Sequence, residues 1–290
     1  MNLTITDVRA ISGDSAFLID DGETAILYDT GFGFTGERIA RNIRSVLGER
    51  KLDFILLTHS HYDHVLAAPY IQRVYPDAKV IAGEYACRIF AKPSARQTMR
   101  ALDRSAAQKA GVTDYEDLAD RLHVDIAVKD GDEIACGDMV FRVISLPGHT
   151  NCSIGFYLEK EGLLLAAETL GVYFGGGECM PIYLVGYQMT MDSFEKAEKL
   201  DIGQLLIAHY GVVGRQEARE YLSRSRAAAV QTAQKVSEIL SAGGGKEEAY
   251  AYLKETFYTE RCRQAYPIDA FNLNTGILID LIARELVHTQ

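Results

Sequence analysis

The residues His59-Ser60-His61-Tyr62-Asp63-His64 put three imidazoles and one carboxylate within six consecutive positions. They follow the apolar run Phe54 to Leu57, which reads as a short buried strand. A strand end is rigid and the loop after it is exposed. Side chains there can converge on an ion without being buried unsatisfied. Histidine nitrogen and aspartate oxygen suit Zn²⁺, and also Fe or Mn. Four donors this close crowd a single ion, so residues 59 and 61 are expected to face one way while 63 and 64 serve a neighbouring ion. A polar loop with chance histidines is the bland alternative, and the density of donors argues against it. His123 and His288 match no motif and read as structural or solvent-exposed.

The pattern His-x-His-x-Asp-His after a strand resembles the hallmark of the metallo-β-lactamase superfamily. The resemblance covers roughly residues 3 to 214. Asp29-Thr30-Gly31 resembles the Asp-Thr-Gly turn of that family. Gly148-His149-Thr150 is similar to its Gly-His-Thr motif, and Ala208-His209-Tyr210-Gly211 to its final His-Gly motif. One position departs from the pattern. The bridging ligand of the family is aspartate in Gly-Asp after a strand, whereas here the run Leu163 to Ala167 ends in Glu168. Glutamate is still a hard oxygen ligand, but its extra methylene brings the carboxylate in along a different vector. The bridge then survives with a shifted metal separation, or the second site is weakened, or another metal is preferred.

The resemblance implies two divalent ions, zinc first, with iron or manganese as alternatives. His59, His61 and His149 would hold one ion, and Asp63, His64 and His209 the other, with Glu168 bridging. Two ions about 3.5–4 Å apart share a hydroxide and polarise the substrate. Asp63 would also orient that nucleophile or pass a proton to the leaving group. Asp29 is implied to accept a hydrogen bond from a ligand histidine. Tyr210, next to a ligand, would donate to a substrate oxyanion or pack in the core. Cys152, three residues after His149, reads first as a packed small residue. The stretch Tyr173 to Gly177, with Tyr183 and Tyr187, reads either as a mobile pocket wall or as a structural loop.

These residues have to be positioned by a large α/β fold. The chain has 290 residues, 48% hydrophobic and 24% charged, enough for a sizeable core and ordinary for a globular protein. Leu3 to Ile11 alternates like a half-buried strand. Phe17 to Ile19 and Ala25 to Tyr28 flank the hairpin signal Asp20-Asp21-Gly22. Gly36 to Leu47 puts Ile39, Ile43, Val46 and Leu47 on one helical face. Tyr62 to Tyr75 reads as one helix ending before Pro76, and Ala78 to Ala82 as a strand. Residues 84 to about 125 break the rhythm with two helical stretches, Ala95 to Ala110 and Tyr115 to Leu122, read as an inserted helical hairpin. Val140 to Leu146, Ser153 to Leu158 and Leu163 to Ala167 follow as strands, and Gln204 to Ala208 as the last one. From Gly214 the pattern is helical. Leu222, Ala229, Ala233, Val236 and Leu240 recur at helical spacing, Gly243 to Gly245 stops that helix, and two more follow at Lys246 to Phe257 and Asp269 to Leu286.

The expected architecture, by resemblance, is a four-layer αβ/βα sandwich with the metals at one edge. Residues 1–214 would form the metallo-β-lactamase-like domain and 215–290 a helical extension packed on it. The insertion and the extension would overhang the site or mediate a homodimer. The net charge of −10 and the absence of an extended basic stretch argue against nucleic acid as partner. Arg96, Arg100, Arg104 and Lys109 read as a solvated helix face. Five scattered cysteines without a CxxC pair point to neither disulfides nor a cysteine zinc site. No apolar run is long enough to span a bilayer and Met1 to Ala10 lacks a secretory pattern, so a cytoplasmic protein acting on a small molecule is expected. Complete ligand sets favour catalysis over a degenerate, non-catalytic binder, and hydrolysis of a small ester, thioester, lactone or related bond is the leading expectation. An iron enzyme acting on a thiol or on oxygen is the first alternative, although diiron flavoproteins of this superfamily carry glutamate where His61 stands. A phosphodiesterase is the second.

Overall fold

The computed structural model describes Leu3 to Val287, so His288 lies outside the described residues. The chain divides into two compact units, Met1–Ile144 with Ile154–Glu159, and Ser145–Ser153 with Lys160–Gln290.

In the first unit Thr4–Asp7 (β1), Phe17–Asp20 (β2), Ala25–Tyr28 (β3), Phe54–Leu57 (β4), Lys79–Gly83 (β5) and Ile126–Val128 (β6) form one sheet in sequential order. β1, β2 and β3 run antiparallel. The β2–β3 turn is held by Asp21, whose Oδ1 accepts from the Glu23 and Thr24 amides, and Gly22 supplies the positive φ of 97°. β3 to β6 are parallel, so the C-terminal ends of β3 and β4 lie side by side. Such ends are where open parallel sheets bind ligands. Glu133–Cys136 (β7) pairs antiparallel with Met139–Ser145 (β8), and Ile154–Leu158 (β9) lies beside β8.

The helices of this unit are Gly36–Leu47 (α1), Tyr62–Val65 (α2), Ala68–Val74 (α3), Glu84–Phe90 (α4) and Pro93–Lys109 (α5). α1 buries Ile39, Ile43 and Leu47, but Val46 is exposed. The single helix expected over residues 62–75 is two. Pro69 sits in the first turn of α3, where its missing N–H costs nothing, whereas in the interior of a continuous helix its ring would clash with the carbonyl four residues back.

The expected helical hairpin of residues 84–125 forms only in part. α5 is there, but of Tyr115 to Leu122 only Ala119–Arg121 makes a single 3-10 turn. Arginines of α5 take the place of the missing helical ladder. Arg96 donates to the carbonyls of Asp120 and Leu122. Arg100 pairs with Asp117 and Asp120, and Arg104 with Asp117. The row expected to be merely solvated straps this segment down.

In the second unit Leu163–Leu165 (β10) runs parallel to Gln204–Ile207 (β13), and β13 pairs antiparallel with Gly211–Gly214 (β14). β13 is therefore not the last strand, contrary to the sequence reading. Val172–Gly175 (β11) and Glu178–Met180 (β12) form a separate hairpin. The helices are Tyr187–Glu198 (α6), Arg215–Ser241 (α7), Lys246–Phe257 (α8), Glu260–Ala265 (α9) and Ile268–Ile282 (α10). α7 buries Leu222, Ala229, Ala233 and Val236 as the spacing requires. α6, α9 and the β11–β12 hairpin were not legible. α10 passes without a break into a π-helical turn over Ala283–Val287, so the chain is helical through the expected end at Leu286. Among the described residues no helix is long and apolar enough to cross a membrane.

Candidate metal centre

In the first unit the site is built on the ends of β3 and β4. The Asp29 amide donates to the Leu56 carbonyl at 2.9 Å, which locks the two strand ends together. Asp29 adopts φ 49°, a left-handed conformation that Asp and Asn tolerate better than other residues with a side chain. Its carboxylate is fully buried and accepts from every side. Thr58 N donates to Oδ1 at 2.9 Å, and the Thr58 hydroxyl lies 3.1 Å from each oxygen. Ser15 Oγ donates to Oδ2 at 3.1 Å, and His64 Nδ1 stands 2.7 Å from the same oxygen.

These contacts fix histidine tautomers. A carboxylate that already accepts from Thr58 N, Thr58 Oγ1 and Ser15 Oγ has only acceptor capacity to offer a further partner, so His64 carries its proton on Nδ1 and presents the Nε2 lone pair. The Thr58 hydroxyl has one proton, and it goes to Asp29. Its oxygen therefore accepts from His59 Nδ1 at 3.0 Å, and His59 presents Nε2 as well. One aspartate thus sets two imidazoles in the state a metal requires.

Turn geometry supports the same segment. Thr30 N and Oγ1 donate to the His64 carbonyl at 2.7 and 2.9 Å. Gly31, at φ 83°, has no room for a side chain, since a Cβ would lie 2.5 Å from Asp14 Oδ1 and 2.7 Å from Ile39 Cδ1. The rings of His59 and His64 are 4.1 Å apart and those of His59 and His61 4.7 Å. Asp63 Oδ2 is 4.0 Å from His64 Nε2. All four donors expected from the motif are therefore gathered at one strand end.

The second unit gathers His149, Glu168 and His209. His149 lies in the turn after β8. Its amide donates to Thr169 Oγ1 at 3.1 Å, and its Nδ1 is 2.9 Å from the Ile182 carbonyl. A carbonyl only accepts, so His149 too presents Nε2. Gly148 before it has φ 140°, and a Cβ there would lie 2.1 Å from Thr190 Oγ1. Glu168 is not the last residue of a strand but opens a 3-10 turn, Glu168–Leu170, three residues beyond the end of β10. The turn closes through Gly171 N donating to the Glu168 carbonyl at 2.8 Å. His209 sits at the tip of the β13–β14 hairpin with φ 62°. Glu168 Oε2 lies 2.9 Å from His149 Nε2 and Oε1 lies 3.3 Å from His209 Nε2. The carboxylate is 7% exposed and offers one oxygen to each imidazole. In both units the donor set, nitrogen with carboxylate oxygen, fits a divalent transition metal.

The remaining candidates fall elsewhere. Cys152 is buried, with its sulfur 3.2 Å from Thr150 Oγ1, and packs as expected. Tyr183 is fully buried and donates to the Ala229 carbonyl, so it belongs to the core and not to a mobile wall. The triple glycine is the β11–β12 turn, with φ 84°, 61° and 81°. Tyr210 packs edge-on against Tyr173 with ring centroids 4.6 Å apart and remains 37% exposed. A cleft of about 310 Å³ lies within the second unit between that hairpin, α7 and the end of α8, lined by Phe174, Cys179, Arg224 and Phe257 among others. None of the metal-ligand candidates lines it. Thr58, Ser15 and Ile182, which orient ligands, carried no sequence signal beyond the adjacency of Thr58 to His59.

Residues 12–209 match the family profile of the metallo-beta-lactamase superfamily. Glyoxylase B2 of Dictyostelium discoideum is 28% identical over 159 residues, 54% of this chain and 50% of that protein. A hydroxyacylglutathione hydrolase of Francisella tularensis subsp. holarctica is 29% identical over 186 residues, 64% of this chain and 58% of that protein. The chain thus spans between half and three fifths of the length of these curated relatives. Among solved structures, the metallo-beta-lactamase family protein TTHA1429 from Thermus thermophilus aligns over 98% of this chain and 92% of its own, with a TM-score of 0.63 and 19% identity. The chain belongs to the metallo-β-lactamase superfamily and has its α/β fold, carried on into a C-terminal helical extension.

Proposed function

We propose that this protein is a dinuclear metal-dependent hydrolase of small thioesters and related esters. His59, His61 and His149 would hold one ion and Asp63, His64 and His209 the other, with Glu168 as the shared carboxylate. Zinc is the first candidate, with manganese or iron as alternatives. The observation that carries this reading is the Glu168 carboxylate, with one oxygen toward His149 and the other toward His209. That placement, one oxygen to each imidazole, supports a bridging role for the glutamate in spite of its extra methylene. The thioester preference is supported by the relative named for hydrolysing hydroxyacylglutathione, a thioester.

Divalent ions held there would supply Lewis-acid polarisation of the scissile carbonyl and a lowered pKa for water. The chain's own residues do the rest. Asp29 holds His59 and His64 in the ligating tautomer. Asp63, half-buried beside His64, is the group that orients water or carries a proton to the leaving thiolate. Tyr210 is the candidate donor to the substrate oxygen, and Tyr210→Phe tests it through kcat at unchanged metal content.

The test of the whole reading is metal content by mass spectrometry on protein purified without chelator, followed by turnover on a thioester and ester panel. About two equivalents of metal and a loss of about 10³-fold or more in His61→Ala are expected. Equal inactivity of the metal-loaded protein and of the variant on every substrate would defeat it. About one equivalent of iron would bring thiol oxidation forward instead.

A further inference from the structure

A row of aromatic rings runs through the first unit beside the metal motif. Tyr62, between the ligand candidates His61 and Asp63, has its ring centroid 5.6 Å from that of Phe32. Phe32 is 5.0 Å from Phe34, and Phe34 is 6.2 Å from Tyr115. Phe32 is buried and forms the root of the row. Phe34, Tyr62 and Tyr115 are half-buried, as are His61 and Asp63. These three side chains are therefore not sealed in the core, and the row reaches the metal motif at Tyr62.

The row is braced from beneath by the insertion. Asp103 of α5 is buried, and its Oδ1 accepts from Gly33 N at 2.9 Å, in the segment between Phe32 and Phe34. Its Oδ2 accepts from the Tyr115 hydroxyl at 2.6 Å. One side chain thus ties together the loop after β3, helix α5 and the strapped segment around Tyr115. Gly33 lies against it so closely that a Cβ would sit 2.7 Å from Asp103 Oδ2. α5 also packs on α2, the helix that carries Asp63 and His64. The insertion is thus tied both to the loop after β3 and to the helix that carries Asp63 and His64.

We infer that Phe34, Tyr62 and Tyr115 form the wall that receives the acyl group of the substrate, and that the wall selects an apolar acyl group of about the size of a phenyl ring over a small one. The inference rests on the hydrolase reading above. Aromatic side chains offer large rigid apolar faces with edge-to-face geometry for a second ring, while a small acyl group leaves that surface wet. Gaining or losing contact with an apolar wall changes discrimination by about 10–200-fold per group of methylene size or more.

The experiment uses the metal-loaded full chain and a matched pair of thioesters of one thiol, phenylacetyl and acetyl. The wild type is expected to prefer the phenylacetyl substrate in kcat/KM. Phe34→Ala should lower the phenylacetyl/acetyl ratio at least tenfold, and Phe34→Leu, which keeps apolar bulk in case the alanine variant unfolds, by less. An unchanged ratio, or a wild type that prefers acetyl, overturns the inference. If the wild type turns over neither thioester, the hydrolase reading is decided on the wider thioester and ester panel. The wall is then judged by calorimetric binding of phenylacetate against acetate. A ratio of affinities that Phe34→Ala leaves unchanged overturns it, and a ratio that collapses upholds it.

Discussion

Replacing Asp29 by asparagine should uncouple the shape of the strand junction from its hydrogen-bond polarity. The two side chains are nearly isosteric, and both tolerate the φ of 49° found there. The carboxylate, however, is acceptor-only with room for about four donors, and it meets four: Thr58 N, Thr58 Oγ1, Ser15 Oγ and His64 Nδ1. Asparagine keeps one accepting oxygen and replaces the other with two N–H donors. The hydroxyls of Ser15 and Thr58 can rotate to accept, but the Thr58 amide cannot. If the asparagine oxygen stays with Thr58 N, its NH₂ faces His64 Nδ1. The imidazole answers by moving its proton to Nε2, the nitrogen the metal needs. If the side chain flips, the Thr58 amide is left buried without an acceptor, at a cost of about 1–3 kcal/mol. The first branch is favoured, because a histidine changes tautomer more readily than a backbone N–H is orphaned. Affinity for the ion at His64 should fall about 10–100-fold, while the metal-free protein loses only about 1 kcal/mol. Chelator competition measures the first quantity and urea unfolding of the metal-free protein the second. Metal affinity within twofold of wild type together with unchanged stability would refute the tautomer argument.

Three further outcomes follow from named contacts. Gly148→Ala places a Cβ 2.1 Å from Thr190 Oγ1 and 2.8 Å from Thr169 Cγ2 at φ 140°. Urea unfolding should show a loss of about 2–4 kcal/mol, and a loss below about 0.5 kcal/mol would contradict the packing described. Burial raises the Asp103 carboxyl to about 6, opposed by the hydrogen bonds from Tyr115 and Gly33. A carboxyl held above its ordinary value of 3.8 gives stability that is full below about pH 4 and is lost as pH rises through about 6. Asp103→Asn should remove this slope, by on the order of 2 kcal/mol between pH 4 and pH 8, with parallel melting curves of the two proteins against pH as the contrary result. Glu168→Asp withdraws the carboxylate by about 1.5 Å, so it can no longer meet both histidines. If the proposed pair of ions is bound, the more weakly held one should then be released at about tenfold lower chelator concentration, and unchanged release would speak against bridging.

The fold was most legible where pattern and length agreed. The β2–β3 hairpin, α1, β4 and α8 lie close to where alternation, helical spacing and the glycine stops put them. What failed to show were elements whose backbone groups are satisfied by distant partners. Tyr115 to Leu122 has helical composition, but arginines of α5 occupy its carbonyls and carboxylates. The β11–β12 hairpin turns through three glycines, which in sequence signal a flexible wall as readily as a tight turn. The break in the helix at residues 66–67 was signalled by Pro69 and passed over, because the apolar spacing runs through it.

For the site, sequence and structure hold different halves of the information. Which side chains are able to ligate is a matter of residue type, so the candidate ligands of both units could be named from the motifs. Ligand state is not. Whether His59, His64 and His149 present Nε2 depends on Thr58, on Asp29 and on the Ile182 carbonyl. A carbonyl can belong to any residue, so Ile182 leaves no trace in the sequence at all. Asp29 could be guessed as a partner for one histidine from its turn motif, but its control of a second through the Thr58 hydroxyl requires the parallel pairing of β3 and β4. The same reasoning explains why Glu168 looked ambiguous. Its extra methylene is a liability at a strand end, but its place in a 3-10 turn beyond β10 allows the longer side chain to bring one oxygen to each histidine. The residue type and the 3-10 turn together place this carboxylate between the two histidines.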